Sequence, residues 1–137
     1  QVASSLFIKN LGIETISMGY IVFEHGMTVG KVGEANLVGR NDKKLASSYV
    51  AAAELLGMKL VYLEAGSGAP QHIPPETISA AKNAVSIPVI VGGGIRTPAA
   101  AEAVSRAGAD IVVTGTVAER ASSILDSLAP IIKALKE

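Results

Sequence analysis

Four short apolar runs alternate with helix-like segments along most of the sequence. The runs have strand length and lie at Ile16–Phe23, Leu60–Glu64, Pro88–Val91 and Ile111–Val113. Consecutive strands joined by a helix lie parallel, with right-handed connections, and a parallel sheet is covered by helices on both faces. The alternation therefore predicts an α/β protein, either a doubly wound sheet or part of a TIM (β/α)8 barrel.

The number of units favours half of a barrel. A closed eight-stranded barrel usually takes about 250 residues, whereas this chain has 137 residues and four β-α units. The sequence begins at Gln1 rather than Met, and residues 1–14 already carry a helical pattern that stops near Gly12. We predict the C-terminal four β-α units of a TIM barrel preceded by a helix, with residues 1–137 forming a single domain.

Caps and prolines predict where the helices begin and end. Asn41 or Asp42 can cap a helix that ends at Gly57, and its expected apolar face is Leu45, Tyr49, Ala52, Ala53 and Leu56. Prolines in the first turn predict further helices from Pro74-Pro75 and from Thr97-Pro98, the latter ending at Gly108.

Two segments are harder to assign. The stretch Thr28–Arg40 is rich in glycine and polar residues, and we expect a long loop there. The apolar stripe between Ser122 and Leu135 predicts a last helix, which Pro130 should kink or divide. A short extra helix is expected at Val117–Arg120.

Composition restricts the classes of function. Twelve basic and twelve acidic residues cancel, so the chain lacks the positive field that attracts nucleic acid. No apolar run approaches the roughly 20 residues of a transmembrane helix. The sequence has no cysteine, which excludes disulfides and thiolate chemistry. These features fit a cytoplasmic protein with a local binding site.

Glycines follow two of the predicted strands. Gly92-Gly93-Gly94 lies between a strand and a proline-started helix, and Thr114-Gly115-Thr116 follows the next strand. Backbone N–H groups of glycine can approach an anion closely, and barrels place phosphate sites at neighbouring strand ends of this kind. The alternative for the glycines is a tight turn that needs a positive φ. The pair of turns favours phosphate binding.

A third strand ends in a carboxylate. Strand alternation sends Tyr62 and Glu64 to the same side, so Glu64 can accept hydrogen bonds from ligand hydroxyls or act as a base. The segment Gly66-Ser67-Gly68 adds N–H groups and a hydroxyl. The alternative is a salt bridge from Glu64 to a buried Arg or Lys.

Other polar residues carry weaker signals. His25 and His72 lack a second ligand at metal spacing, so we expect surface histidines and no metal site within the chain. Arg96 is expected to contact a phosphate or to pair with a helix carboxylate. Tyr20 and a second tyrosine, Tyr49, are assigned to core packing.

The segments Tyr62–Gly68, Val91–Arg96 and Thr114–Thr116 resemble the geranylgeranylglyceryl phosphate synthase family of archaea. The resemblance runs from Met18-Gly19-Tyr20-Ile21 to the last strand. It implies a TIM-barrel prenyltransferase that joins sn-glycerol 1-phosphate to geranylgeranyl diphosphate, in the biosynthesis of archaeal ether phospholipids.

The resemblance also implies roles for individual residues. It assigns glycerol phosphate binding to Tyr62, Leu63, Glu64, Ala65, Gly66, Ser67, Gly68, Gly93, Gly94, Gly115 and Thr116. Glu64 would be the catalytic residue that orients or deprotonates the attacking hydroxyl. The family's Mg²⁺ ligands would lie outside this chain, which should then be inactive alone and should form homo-oligomers or pair with the missing half-barrel.

Two other functions remain open. One is another phosphate-binding TIM-barrel enzyme, such as an isomerase or aldolase of sugar phosphates, because the Gly-Gly-Gly-Ile-Arg sequence is common in this fold. The other is a non-catalytic half-barrel that binds a partner chain.

Overall fold

Four parallel strands form a single sheet in the computed structural model, which describes residues 2–136. The strands are β1 (Met18–Val22), β2 (Leu60–Glu64), β3 (Val89–Gly92) and β4 (Ile111–Val113), arranged in the order β1-β2-β3-β4. Each strand therefore pairs with the next one along the chain, as in a barrel wall, and the doubly wound alternative is wrong. The predicted α/β class is confirmed.

Seven helices accompany the sheet in the described part of the chain. They are α1 (Val2–Asn10), α2 (Met27–Val32), α3 (Lys43–Leu55), α4 (Pro75–Asn83), α5 (Pro98–Arg106), α6 (Thr116–Glu119) and α7 (Ile124–Ala134). Asp42 caps α3 by accepting a hydrogen bond from Leu45 N, and Thr97 caps α5 through Ala100 N. The predicted caps and the short extra helix are confirmed, while Gln1 of the expected first helix lies outside the described residues.

The expectation of a loop throughout Thr28–Arg40 is wrong. Residues Met27–Val32 form α2, which begins after Gly26 and ends at Gly33. The glycines allow this helix to pack closely: a Cβ at Gly30 would lie 3.0 Å from a methyl group of Leu37. Tertiary contact therefore overcomes the low helix propensity of glycine.

The expected apolar face of α3 is also wrong, except at Ala53. The buried residues are Ala46, Val50 and Ala53, whereas Leu45 and Tyr49 are 39% and 41% exposed. The helix approaches the sheet so closely that a Cβ on Gly19 of β1 would lie 2.7 Å from Cβ of Ala53. Small side chains allow this approach, so they, and not the large ones, face the sheet.

Pro130 does not divide the last helix. The helix α7 continues from Ile124 to Ala134 with Pro130 inside it, and Ser123 caps its start. Proline costs the helix one hydrogen bond and crowds the preceding turn, and burial of Ile131 against the core holds this segment in place despite that cost.

Both edges of the described sheet carry exposed apolar side chains. Met18 and Tyr20 of β1 are 38% and 45% exposed, and Ile111 and Val113 of β4 are 46% and 40% exposed. No residue of α1 is buried, and its Phe7 is 67% exposed. Among the helices of residues 2–136, none is long and apolar enough to cross a membrane.

Candidate active site at the carboxyl ends of the strands

The turns that follow β2, β3 and β4 surround one small pocket. Its volume is about 120 Å³. It is lined by Tyr62, Glu64, Ser67, Gly68, Gly93, Gly94, Ile95, Arg96, Val113, Thr114, Gly115 and Thr116. Because the strands are parallel, their carboxyl ends meet at one edge, and three segments that are distant in sequence come together there. The pocket is much smaller than those that hold drug-sized ligands, so it suits a small polar molecule.

Glu64 lies at the wall of this pocket with both carboxylate oxygens engaged. Tyr20 Oη donates a hydrogen bond to Oε2 at 2.8 Å, and the backbone N–H of Gly66 donates to Oε1 at 2.5 Å. The residue is only 7% exposed. The ion pairs in the described part of the chain are Lys82–Asp110 and Arg106–Glu102, so neither involves Glu64. The salt-bridge interpretation of this carboxylate is wrong.

Two tyrosines stack beside this carboxylate. The rings of Tyr20 and Tyr62 lie 4.8 Å apart at 24°, and the two residues are partners in the register of β1 and β2. Burial raises the pKa of Tyr62 to about 12, and the charge of Glu64 contributes. Burial, the hydrogen bond to Glu64 and its charge also raise the pKa of Tyr20 well above its usual range. Both phenols therefore remain neutral hydrogen-bond donors near pH 7.

The assignment of Tyr20 to core packing is wrong. Its ring is 45% exposed and its hydroxyl holds Glu64. Parallel pairing in the observed register places Tyr20 beside Tyr62. Aligning the two predicted strands in this register could have identified Tyr20 as a site residue. Tyr49 is not a core residue either, since it is 41% exposed on α3.

The glycines after β3 are required by close packing between turns. Gly93 (φ +87°) lies against Gly66, where an added Cβ would be 2.7 Å from the Gly66 nitrogen. At Gly94 (φ +73°), an added Cβ would lie 2.3 Å from the carbonyl carbon of Gln71. Both glycines have the positive φ expected for a tight turn and also line the pocket. Phosphate binding by them stays a prediction.

The turn after β4 forms a further part of the pocket wall. Thr114 Oγ1 donates a 2.8 Å hydrogen bond to the carbonyl of Ile95, which ties this turn to the one after β3. Gly115 precedes the first residue of α6, Thr116, and both line the pocket.

Three of the residues assigned to substrate binding do not line the pocket. Leu63 and Ala65 are fully buried in the core, because strand alternation turns their side chains away from Glu64. Gly66 uses its N–H for Glu64, and a Cβ on it would collide with Met27 of α2. A contact from these residues to a ligand would have to come from the backbone, and it stays a prediction.

The remaining polar residues fall into different places. His25 is exposed in a turn, whereas His72 is half-buried and contacts the carbonyl of Ile73 through Nδ1 at 2.7 Å. Arg96 lines the pocket, and its Nη2 donates to the carbonyl of Ala69 at 2.6 Å rather than to a helix carboxylate.

A parallel sheet in sequential order with a small pocket at its carboxyl edge places these four β-α units in the TIM-barrel class. The family model described as the PcrB family matches residues 3–135. The chain belongs to the PcrB family.

Its relatives include proteins named geranylgeranylglyceryl phosphate synthase. The sequence is 55% identical over 135 residues to that of Picrophilus torridus, covering 98% of this chain and 56% of the relative, and 50% identical over 137 residues to that of Thermoplasma acidophilum, covering 100% and 54%. The crystal structure of the Thermoplasma acidophilum enzyme in complex with its substrate sn-glycerol-1-phosphate superimposes with a TM-score of 0.95, covering 98% of this chain and 55% of that one. The chain thus spans about half the length of these relatives.

Proposed function

We propose that the pocket binds sn-glycerol 1-phosphate as the acceptor site of a phosphoglycerol geranylgeranyltransferase. The observation that carries this proposal is the buried Glu64 carboxylate, which shares one small pocket with the glycine turns after β3 and β4. A carboxylate can accept hydrogen bonds from glycerol hydroxyls, and glycine N–H groups suit a phosphate. The relative from Thermoplasma acidophilum was crystallised with this substrate.

Within the pocket we assign the phosphate to Gly93, Gly94, Gly115 and Thr116. The glycerol hydroxyls then point toward Glu64, Tyr62 and the segment Ser67-Gly68, which line the same pocket. Each carboxylate oxygen of Glu64 accepts one hydrogen bond within the protein, and a carboxylate can accept about four in total. Glu64 therefore retains capacity for substrate hydroxyls.

In the reaction we propose, the C3 hydroxyl oxygen of the glycerol attacks C1 of geranylgeranyl diphosphate. A carbon–oxygen ether bond forms, the bond from C1 to the diphosphate oxygen breaks, and the hydroxyl proton leaves toward Glu64 while diphosphate departs with the bonding electron pair. Fixed orientation of the hydroxyl supplies much of the rate enhancement in such displacements. The pocket is too small for a prenyl chain of twenty carbons, which would lie outside it.

The family resemblance implies Mg²⁺ at the diphosphate. Among residues 2–136, no group of three or more His, Asp or Glu side chains is arranged to hold a metal ion. The residues described do not fit this metal. That its ligands lie outside this chain stays a prediction.

The binding proposal is tested by titration calorimetry with sn-glycerol 1-phosphate, its 3-phosphate enantiomer and inorganic phosphate. We expect the 1-phosphate to bind most tightly. Glu64→Gln should weaken it by at least tenfold, because the single amide oxygen can still accept from the N–H of Gly66 while the NH2 group donates to Tyr20 Oη, and fewer lone pairs remain for ligand hydroxyls. The control Glu102→Gln removes a carboxylate that pairs with Arg106 on α5. A different phosphate-binding barrel would be supported if all three ligands bound with equal affinity, or if the Glu64 variant bound sn-glycerol 1-phosphate as tightly as the parent protein.

We further propose that the exposed edges of β1 and β4 are covered by a polypeptide equivalent to the other half of the relatives. The apolar side chains at the edges of β1 and β4, and helix α1, are exposed, and further β-α units could cover them. The relatives are almost twice as long as this chain. The expected complex contains one copy of each half, formed in the cytoplasm.

This pairing is tested by coexpression with the N-terminal part of the Picrophilus torridus relative. We expect a 1:1 complex by light scattering, and prenyl transfer with magnesium and both substrates only in that complex. The proposal would be contradicted if this chain stayed monomeric in the presence of the N-terminal half, or if it formed a homodimer instead of the 1:1 complex.

A further inference from the structure

The loop that joins β2 to α4, residues 65–74, accepts hydrogen bonds from Arg40, which lies in another part of the chain. Arg40 Nη1 donates to the carbonyl of Gln71 at 3.2 Å, and Nη2 donates to the carbonyl of His72 at 2.6 Å and to Gln71 Oε1 at 3.4 Å. A planar guanidinium can serve several acceptors at once in a fixed geometry. Arg40 thus spans two consecutive peptide groups of this loop.

The backbone of Arg40 is itself held from two sides. Its N–H donates to Oε2 of Glu24 at 3.2 Å, and its carbonyl accepts a 2.8 Å hydrogen bond from Oγ1 of Thr77, a buried side chain of α4. Nearby, Val38 is buried and pairs with Phe23 at the end of β1. The guanidinium therefore extends from a fixed point of the fold to the loop.

A second arginine contacts the middle of the same loop. Arg96, in the turn after β3, donates from Nη2 to the carbonyl of Ala69 at 2.6 Å. Gly66 (φ +103°) and Gly68 (φ +79°) lie in the same loop, between β2 and these contacts. Their flexible backbone must be ordered for Gly66 N–H to hold Glu64 and for Gly68 to line the pocket.

We propose that Arg40 and Arg96 are positioning residues that lock the loop of residues 65–74 in the conformation that binds substrate. Neither acts on the reacting atoms in this role. Arg40 holds Gln71 and His72, whose backbone also packs against Gly94, and Arg96 fixes the turn that runs from Gly66 to Ala69. The role in substrate binding rests on the proposed function, whereas the restraint of the loop does not.

The first test is hydrogen exchange of the loop in the absence of ligand. In Arg40→Met and Arg96→Met, the amides of Gly66 and Ala69, which are bonded to Glu64 Oε1 and to the carbonyl of Gly66, should exchange faster than in the parent protein. Amides of β2 and β3 should keep their rates. The control Arg106→Met removes a guanidinium from an exposed ion pair on α5 and should change neither.

The second test is the affinity for sn-glycerol 1-phosphate. Each methionine variant should bind roughly tenfold more weakly, since several charge-assisted hydrogen bonds no longer preorder the loop. Arg40→Lys should recover part of the loss because its ammonium can reach one carbonyl. Arg96→Met affects an exposed side chain, so it should remain folded even where Arg40→Met does not.

The proposal would be overturned if the loop amides of the folded Arg96→Met variant exchanged at the rates of the parent protein. It would also be overturned if variants with faster loop exchange bound sn-glycerol 1-phosphate as tightly as the parent protein. Failure of the parent protein itself to bind sn-glycerol 1-phosphate would refute the proposed function instead. The exchange measurement would then still decide whether the two arginines restrain the loop.

Discussion

The hydroxyl of Tyr20 donates a 2.8 Å hydrogen bond to Oε2 of Glu64, across two neighbouring strands of the sheet. This contact fixes a carboxylate that is only 7% exposed and has no cationic partner in the described ion pairs. Hydrogen-bond donors must offset the hydration that a buried carboxyl group loses. Tyr20 and the N–H of Gly66 supply them, which leaves the other lone pairs of Glu64 for a ligand.

Tyr20→Phe is expected to lower the affinity for sn-glycerol 1-phosphate several-fold and the free energy of unfolding by about 1 kcal/mol. The ring can still stack on Tyr62, so only the hydrogen bond to Glu64 is removed. Calorimetry and urea unfolding measure the two effects. Tyr49→Phe, which changes an exposed residue outside the pocket, should leave both unchanged. Equal effects of the two substitutions would show that Glu64 does not depend on Tyr20.

Gly94→Ala is expected to destabilise the protein more than Gly57→Ala. Both glycines have a positive φ, of +73° and +83°, so alanine is strained at either position by about 1–2 kcal/mol. A Cβ at Gly94 also collides with the backbone of Gln71, whereas nothing lies within 4 Å of one at Gly57. Overpacking adds roughly 1–3 kcal/mol.

Urea unfolding of the two variants measures this difference directly. Because the conformational strain is common to both, the excess loss in Gly94→Ala reports the contact between the turns after β2 and β3. Equal free energies of unfolding would mean that these two turns are farther apart in solution.

Raised pKa values predict a loss of stability in alkaline solution. Burial raises the pKa of Tyr62 from 10.0 to about 12 in the folded protein. The unfolded chain releases this proton at lower pH, so the stabilisation is complete below pH 10 and declines as pH rises toward 12. Unfolding free energies measured across that range should fall less steeply for Tyr62→Phe. Parallel curves for the two proteins would contradict the assignment.

The contact between Asp110 and Lys82 predicts that the free energy of unfolding falls in acid. Burial raises the pKa of Asp110, but hydrogen bonds from Lys82 Nζ and Val89 N, both 2.7 Å, outweigh it and leave the pKa below its ordinary value of 3.8. Stabilisation by the carboxylate is present above that value and disappears as pH falls through the lower, folded value.

Asp110→Asn should therefore lower the free energy of unfolding at pH 7 by at most about 1 kcal/mol, since the pair is partly exposed. The difference from the parent protein should vanish in strong acid. Urea unfolding at several pH values provides the measurement. A difference that persists in acid would show that the packing of Asp110 matters more than its charge.

The alternating pattern of the sequence was sufficient to predict the α/β class, most helix and strand positions and the three turns that meet at the pocket. Caps at Asp42 and Thr97 act through adjacent residues, so they could be predicted locally. The errors occurred where tertiary packing determines the secondary structure or the buried face of a helix. Gly30 lies in a helix because it packs on Leu37, and α3 turns small residues to the sheet because Ala53 meets Gly19.

By itself, the sequence determined that Glu64 ends a strand beside glycine-rich turns, because strand periodicity and turn chemistry depend on neighbouring residues. The tertiary structure alone decided which residues surround it. Tyr20 reaches Glu64 through the register of β1 and β2, and Arg40 reaches Gln71 across 31 positions of sequence. Such contacts depend on how whole elements pack against each other, and no local pattern in the chain encodes their distances.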